Sequence, residues 1–222
     1  MAVTPRTIAI LGGTGKEGKG LAYRWLKAGH TVIIGSRSIE KAQTASVELS
    51  SLFSHVVPVT ANTNDHAADS AEIVVLTVPY EVHIPMLESI KNQVQGKIFI
   101  DVTVPLVPPK VTKVQIPSDG SAGLEAKKIL GENVEVVSAF QNIAYEHLLN
   151  DEEVTCDVLV CGGTKPARAT VLELVADAGL QGWDAGPLEN SIVAEGLTSI
   201  LIGLNKQFGT TNAGIKITGI TR

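Results

Sequence analysis

Short apolar runs alternate with amphipathic stretches along most of this chain. The apolar runs predict strands buried on both faces, and the stretches with apolar residues three or four positions apart predict helices. The first pair is a strand at Thr7–Leu11 and a helix from about Gly15 to Ala28, with Gly29 in the position of a C-terminal cap. This alternation predicts an α/β fold with a parallel sheet.

The same pattern continues along the rest of the chain. Further strands are predicted at 31–35, 56–59, 73–78, 97–101, 134–140, 157–161 and, as a short strand and turn, 181–187. Further helices are predicted at about 39–52, 80–94, 121–130, 166–178 and 188–206, with a loop and short helix at 62–70. The segment 102–117 contains four prolines, which exclude a helix and indicate a stiff, extended loop. The acidic residues 151–153 mark a possible domain boundary.

A glycine cluster, Gly13-x-Gly15-x-x-Gly18, follows the first strand and opens the first helix. Gly13 would make the tight turn, Gly15 would let the backbone approach a phosphate, and Gly18 would let the helix pack closely. The free N–H groups at the start of the helix would then point at the anion. The motif alone is weak, but its strand–turn–helix context predicts a pyrophosphate site rather than a flexible glycine loop without a ligand.

The residues after the second strand predict which dinucleotide binds. An Asp or Glu here usually bonds the ribose of NAD, but this chain has Ser36 and Arg37, with Lys41 a turn later. A guanidinium can donate two charge-assisted hydrogen bonds to a 2′-phosphate, so the segment favours NADP. The alternative is that Ser36 or Ser38 caps the next helix and that Arg37 is a solvated surface charge; capping and binding are compatible.

Ligands in such sheets lie across the carboxyl ends of the strands. This rule places residues 77–80 beside the nicotinamide half of the cofactor and residues 141–145 at the same edge. Asp101 ends another strand there, and we interpret it as the cap of a turn rather than as a catalytic acid.

Composition narrows the function class. The chain has 222 residues, of which 44% are hydrophobic and 18% charged, so it is globular. A net charge of −5 argues against nucleic acid as a partner. The N-terminus shows no secretory signal, and residues 192–204 are too short and interrupted to span a bilayer, so we expect a cytoplasmic protein. Cys156 and Cys161, which a strand would place on opposite faces, are interpreted as reduced, buried thiols, and no metal site is predicted.

Taken together, these motifs make the chain resemble the coenzyme F420-dependent NADP oxidoreductases. The resemblance covers essentially the whole chain. It rests on the motifs Leu11–Gly15, Gly18–Leu21, Gly29-His30, Gly35–Arg37 with Lys41, Val75–Pro79, Pro105–Pro108, Val137–Ala139, Asp184–Leu188, Leu197-Thr198 and Gly214–Lys216. It implies a Rossmann-type, doubly wound, mostly parallel sheet in residues 1–150 and a small C-terminal α/β extension in residues 151–222, which completes the F420 cleft. It also implies a homodimer or a higher homo-oligomer.

The resemblance further implies direct hydride transfer between NADP(H) and the deazaflavin of F420, without a catalytic side chain. It assigns Gly13, Thr14, Gly15, Lys16 and Glu17 to the pyrophosphate; Ser36, Arg37 and Lys41 to the 2′-phosphate; Val78, Val82, Val107 and Tyr145 to the nicotinamide pocket; and Ala213 to a backbone contact with the deazaflavin. Some members of the family have His, Arg and Ser where this chain has Gln141, Ile192 and Gly196, so the acidic F420 tail would rely on Lys206, Lys216 or backbone amides.

Two other functions stay open. The chain would in one case be an NADPH-dependent reductase of another acceptor, such as a flavin, a ferric chelate or an imine. In the other it would be a non-catalytic NADP sensor, which binds the dinucleotide without transferring a hydride.

Overall fold

The structure, a computed structural model, describes residues 3–151 and 153–220. Met1 and Ala2 of the N-terminal segment and Glu152 of the expected boundary lie outside the described residues. The strands are β1 (Thr7–Leu11), β2 (Thr31–Ser36), β3 (Val59–Thr63), β4 (Ile73–Leu76), β5 (Ile98–Asp101), β6 (Glu135–Ser138), β7 (Asp157–Gly162) and β8 (Gln181–Asp184). The helices are α1 (Lys16–Ala28), α2 (Ile39–Ser51), α3 (Asn64–Ser70), α4 (His83–Ile90), α5 (Ala122–Leu130), α6 (Lys165–Asp177) and α7 (Ser191–Phe208). Short 3₁₀ helices lie at Tyr80–Val82, Tyr145–His147 and Leu188–Asn190.

The strands form one sheet in the order β3-β2-β1-β4-β5-β6-β7-β8. All neighbouring strands run parallel except β6 and β7, which are antiparallel. This arrangement confirms the predicted α/β fold with a mostly parallel, doubly wound sheet. Strands from both sides of residue 152 belong to the sheet, and the division into residues 1–150 and 151–222 stays a prediction.

Helices cover both faces of the sheet because side chains alternate along each buried strand. Ile8 and Ile10 of β1 pack in one core with α1, α2 and α6, whereas Ala9 and Leu11 pack in the other core with α3, α4 and α5. The two cores hold the strand ends in place, and the loops at the carboxyl edge of the sheet project from this rigid support.

The third strand was predicted too early. Residues 56–58 are not part of a strand, and β3 begins only at Val59. Val56 is 98% exposed, and Pro58 has no N–H to donate to a ladder, although its carbonyl accepts from the N–H of Val32. As an edge strand, β3 does not need the apolar run that identifies a central strand, which is why Asn62 and Thr63 fall in the predicted loop at 62–70.

Several other boundaries also differ. The strand predicted at 73–78 ends at Leu76, whose partner Leu11 ends β1. The strand predicted at 134–140 ends at Ser138, because the left-handed backbone of Phe140 (φ 74°) cannot continue a strand. The helices predicted from residues 80 and 188 each begin with a 3₁₀ turn, and the α-helices span only 83–90 and 191–208.

Candidate functional site

The glycine turn between β1 and α1 is tightly packed. Gly12 takes the left-handed backbone (φ 71°), and the N–H of Gly13 donates to the carbonyls of Ile10 (3.2 Å) and Gly35 (3.1 Å). A Cβ on Gly13 would lie 2.7 Å from the Ile10 carbonyl, and one on Gly18 would lie 2.7 Å from the Cα of Gly13. The turn therefore requires glycine at these positions for steric reasons, independently of any ligand.

Space opens in front of Gly15, the residue that caps the start of α1. A Cβ there would meet only the carbonyl of Gly12, at 3.4 Å, and Gly15 has no side chain to satisfy the first turn of the helix. The first N–H groups of a helix lack partners inside it and carry a partial positive charge. The turn therefore fits a pyrophosphate, which these groups would hold.

Glu17 lies in this first turn, but its carboxyl group is buried in the protein. Its Oε1 atom is buried and has no hydrogen-bond partner among the described residues. Burial raises the pKa of Glu17 to about 8, so the group is mostly neutral near pH 7. The first turn of α1 accordingly presents backbone donors, and little negative charge, to an anion.

The end of β2 carries the residues predicted to bind a 2′-phosphate. Ser36 is buried, and within the described parts of the chain the Arg37 guanidinium has no hydrogen bond or ion pair. The Ser38 hydroxyl accepts from the N–H of Lys41 at 3.3 Å. Ser38 therefore caps α2, as the capping interpretation of this segment predicted. Capping leaves Arg37 available for a phosphate, and the side chain of Lys41 is exposed on the same turn.

A cavity of about 520 Å³ adjoins these residues. Its volume lies within the range of small-molecule sites. It is lined by Ser36, Arg37, Thr63, Asn64, Asp65, Val82, Pro85, Met86 and Ser89. Val82 lines this cavity together with Arg37, and its assignment to the nicotinamide pocket stays a prediction.

Other predicted residues gather near the centre of the edge. Val78 packs on the glycine turn, since a Cβ on Gly12 would lie 2.7 Å from its Cγ1 atom. The Lys16 ammonium donates to the Tyr145 hydroxyl at 3.1 Å, which places Tyr145 beside the start of α1. Val107 is 46% exposed on the proline-rich loop that follows β5.

The C-terminal tail closes a second, smaller cavity of about 190 Å³. Ala213 lines it together with Asn142, Ala144, His147, Asn212 and residues 153–156. The N–H of Ala213 donates to Asn205 Oδ1 (2.9 Å), and His147 bonds Asn212 Oδ1 (2.7 Å), so side chains hold the tail against the edge. The structure therefore brings Ala213 close to the segment that carries Tyr145.

The three positions that depart from the family pattern have structural contacts. Gln141 is buried and donates to the Asp101 carbonyl (2.8 Å) and to Ser138 Oγ (2.7 Å). Ile192 packs against Gly120, where a Cβ would lie 3.1 Å from the Cδ1 atom of Ile192. Gly196 faces Val114, and a Cβ on Gly196 would lie 3.4 Å from the Cγ1 atom of Val114. Ile192 and Gly196 therefore support the segment 114–120.

Asp101 caps a turn, as expected. Its Oδ1 atom accepts from the N–H of Thr103 (2.9 Å), and its Oδ2 atom pairs with His83 Nε2 (2.7 Å). Burial lowers the pKa of His83. The charge of the Asp101 carboxylate and its hydrogen bond raise that pKa, and together with the other nearby carboxylates they outweigh burial, so the net shift is upward. Glu125 lies 3.7 Å from the other ring nitrogen of His83 and accepts from the Tyr80 hydroxyl at 3.0 Å.

Glu195 of α7 joins this buried cluster. Its carboxyl oxygens accept from the N–H groups of Ala122 (2.8 Å) and Gly123 (3.1 Å) in the first turn of α5. Burial, followed by the charge of Asp101, raises the pKa of Glu195 to about 8. Glu195 thereby ties the C-terminal helix to the strand-end edge.

The two cysteines are free thiols that lie in and just before β7. Cys161 is buried in β7, whereas Cys156 precedes that strand and is half-buried, where its sulfur accepts from Asn142 Nδ2 at 3.0 Å. Burial raises the pKa of both thiols, that of Cys161 to about 11. Both are therefore protonated and unreactive near neutral pH.

Sequence reasoning missed the residues that β3 and α4 bring to the large cavity. Asn64 and Asp65 follow a strand that was placed too early, and Pro85 and Met86 were read only as parts of a helix. The sequence signal for the first pair was a polar Asn-Asp directly after an edge strand. It also missed the partners of Asp101, which lie far from it along the chain.

Two absences apply to the described residues only. Among residues 3–151 and 153–220, no helix combines the length and apolar character needed to cross a bilayer. In the same residues, no group of three His, Cys, Asp or Glu side chains is arranged to hold a metal ion.

The family model and the similar proteins point to one kind of enzyme. Residues 7–105 match the family described as "NADP oxidoreductase coenzyme F420-dependent". The chain is 37% identical to the F420-dependent NADP reductase of Methanocaldococcus jannaschii over 221 residues, covering 96% of this chain and 98% of that protein. It is 39% identical to the F420-dependent NADP reductase of Methanothermobacter thermautotrophicus over 220 residues, covering 96% and 95%.

A solved structure shares the fold over the full length. It is a protein from Arthrobacter sp. FB24 described as an F420-dependent NADP reductase, with a TM-score of 0.80 and 26% identity. The match covers 96% of this chain and 99% of that one. The similarity therefore includes both the glycine turn and the C-terminal helix.

Proposed function

Because the chain belongs to the coenzyme F420-dependent NADP oxidoreductase family, we propose that it transfers a hydride between NADP(H) and coenzyme F420. The observation that carries the proposal is the arrangement of the glycine turn, with its open helix start, beside a cavity that contains Ser36 and Arg37. This arrangement matches the pyrophosphate and the 2′-phosphate of one dinucleotide.

The protein's part in the reaction is to position two cofactors. The N–H groups of residues 15–17 would hold the pyrophosphate, and the Arg37 guanidinium, with Ser36 and Lys41, would hold the 2′-phosphate. Val78 lies two residues beyond the end of β4, where it would support the nicotinamide. The nicotinamide and the deazaflavin supply the reacting carbons, so the side chains contribute orientation and the exclusion of water.

We place the F420 side of the cleft between residues 142–147 and the C-terminal tail. Ala213 lies in the cavity between them, where its small side chain would permit a close backbone approach. The exposed ammonium groups of Lys206 and Lys216 are available for the acidic tail of F420. Tyr145 would meet the cofactors from the Lys16 side of the cleft.

The test is a turnover assay that follows NADPH and F420 simultaneously. We expect loss of NADPH to match reduction of F420 one for one, with NADH a much poorer donor. Flavins, a ferric chelate and a cyclic imine serve as alternative acceptors in parallel reactions. Reduction of one of these but not of F420 would assign another acceptor, and tight NADPH binding without any transfer would indicate a sensor.

We also propose that the protein forms a homodimer through α7. This helix exposes an apolar stripe of Val193 (64%), Ile200 (51%), Leu204 (38%) and Phe208 (70%), spaced as one helical face. Light scattering after size exclusion is expected to show a dimer that Ile200→Glu dissociates. Val47→Glu, at another exposed apolar position on α2, is the matched control. A monomer for the unmodified protein would contradict the proposal.

A cytoplasmic location is part of the same proposal. Cys156 and Cys161 are both free thiols. A reducing compartment would keep them in that state.

A further inference from the structure

The order of the strands assigns each part of the dinucleotide to one strand end. This step rests on the proposed function, because it takes NADP as the ligand. The glycine turn follows β1, Arg37 follows β2, and Asn64 and Asp65 follow β3, which is the edge strand. Ser36 and Thr63 are paired in the sheet, so Arg37 and Asn64 are the next residues on strands about 4.8 Å apart. A dinucleotide whose pyrophosphate lies at β1 and whose 2′-phosphate lies at β2 would thus extend its base toward β3.

The large cavity at this place has the chemistry that a purine base requires. Its apolar wall consists of Val82, Pro85 and Met86 from the start of α4, against which the face of a ring can pack. Besides Ser36, Arg37, Thr63 and Ser89, its polar lining includes Asn64 and Asp65 at the start of α3. A purine has apolar faces and a polar edge, so these two sides would contact different parts of the same ring.

The polar side is held in a fixed position. Asn64 is 7% exposed, and its Oδ1 atom accepts from the N–H of Gly12 at 3.3 Å. The same oxygen would lie 2.9 Å from a Cβ on Gly35, so the segment packs closely on β2 as well. The residue that follows Asn64 is therefore anchored to the phosphate-binding turn.

Asp65 is the acidic residue that lines the cavity. The Thr63 side chain, above all, holds the pKa of Asp65 below its ordinary value, so the carboxylate is ionised near neutral pH. In the described residues, Asp65 makes no ion pair with Arg37 or another cation. The carboxylate also accepts from backbone N–H groups at the start of α3. Because an ionised carboxylate only accepts hydrogen bonds and repels phosphate, its remaining acceptor positions suit a donor on the base.

We propose that Asp65 determines base specificity by accepting a hydrogen bond from the exocyclic amino group of adenine. A hypoxanthine ring has a carbonyl oxygen at that position, and this oxygen would face the carboxylate with no proton between them. The site would therefore reject the inosine form of the dinucleotide, through both the lost hydrogen bond and the repulsion between the two oxygens.

The experiment measures the affinity of the full chain for adenosine 2′,5′-bisphosphate and for inosine 2′,5′-bisphosphate by calorimetry. Both probes carry the 2′-phosphate but no nicotinamide, so they report on this end of the site without turnover. We expect the adenosine compound to bind at least about tenfold more tightly. In Asp65→Asn the ratio should fall to about threefold or less, because the amide can donate to the hypoxanthine carbonyl.

The matched control is Asp69→Asn, which removes the same charge from an exposed position on the same helix but outside the cavity. It should keep the adenine preference of the unmodified protein. Equal binding of the two probes by the unmodified protein, or an unchanged ratio in Asp65→Asn, would overturn the inference. Failure of both probes and of NADPH to bind would overturn it together with the proposed function. The protein could also prefer adenine, lose that preference in Asp65→Asn, and yet fail to reduce F420. That result would support the inference about Asp65 and reject only F420 as the hydride acceptor.

Discussion

Glu195 provides a test of how a buried carboxyl joins the C-terminal helix to the rest of the fold. The side chain is 2% exposed, and its two oxygens accept the N–H groups of Ala122 and Gly123. The hydrogen bonds favour the ionised carboxylate, whereas burial and the charge of Asp101 favour the neutral acid and raise the pKa from 4.5 to about 8. Neutral Glu195 is therefore expected to predominate in the folded protein at pH 7.

The magnitude follows from proton linkage. Between pH 4.5 and about 8 the folded state keeps a proton on Glu195 that the unfolded state has lost. The free energy of unfolding therefore falls as the pH rises through this window, by about 1.4 kcal/mol per pH unit at most. The whole window corresponds to several kcal/mol.

The perturbation is Glu195→Gln, which removes the titration but keeps the shape. At about pH 5 the variant should be less stable by about 1–3 kcal/mol, because its amide N–H₂ cannot accept from one of the two backbone donors. As the pH rises above about 5 this deficit should shrink by up to about 1.4 kcal/mol per pH unit and reverse within about two units, since only the unmodified protein must keep a proton on Glu195 that its unfolded state has released.

Chemical denaturation across this pH range measures the difference in unfolding free energy between the two proteins. The raised pKa of Glu17 affects both proteins equally and cancels in the difference. Glu189→Gln, an exposed position just before α7, is the control and should show no such trend. A deficit that is constant with pH, or that grows as the pH rises, would refute the reasoning, because it would mean that the two amide bonds outweigh burial.

Three further predictions concern the cofactor edge and α7. Arg37→Ala should weaken NADPH binding about 10- to 100-fold with little effect on NADH, as measured by fluorescence titration; equal losses would argue against a 2′-phosphate contact. Gly18→Ala should lower the unfolding free energy by about 1–3 kcal/mol and weaken NADPH binding, because the new Cβ would lie 2.7 Å from the Cα of Gly13. Gly196→Ala should leave stability unchanged or raise it by up to about 1 kcal/mol, since its Cβ would meet only Val114, at 3.4 Å; a marked loss in thermal denaturation would contradict this.

Local patterns were enough to predict the frame of the fold and to single out the residues that we propose bind the phosphates. The apolar run of β1, the glycine turn and the helix that follows are contiguous, so each residue's neighbours in the chain are also its neighbours in space. Arg37 stands out as a candidate for the 2′-phosphate for the same reason, because it directly follows β2. Asp101 was correctly interpreted as a turn cap, since its partner Thr103 is two residues away.

Tertiary structure alone decided which distant residues meet. The edge strand β3 carries no apolar run, so its pairing with β2, and with it the place of Asp65, depends on the assembled sheet. His83 and Glu195 join Asp101 or α5 only after the sheet and α7 have formed. These contacts are not visible in the sequence because a buried carboxyl is stabilised by partners that packing brings together, and no spacing along the chain specifies them.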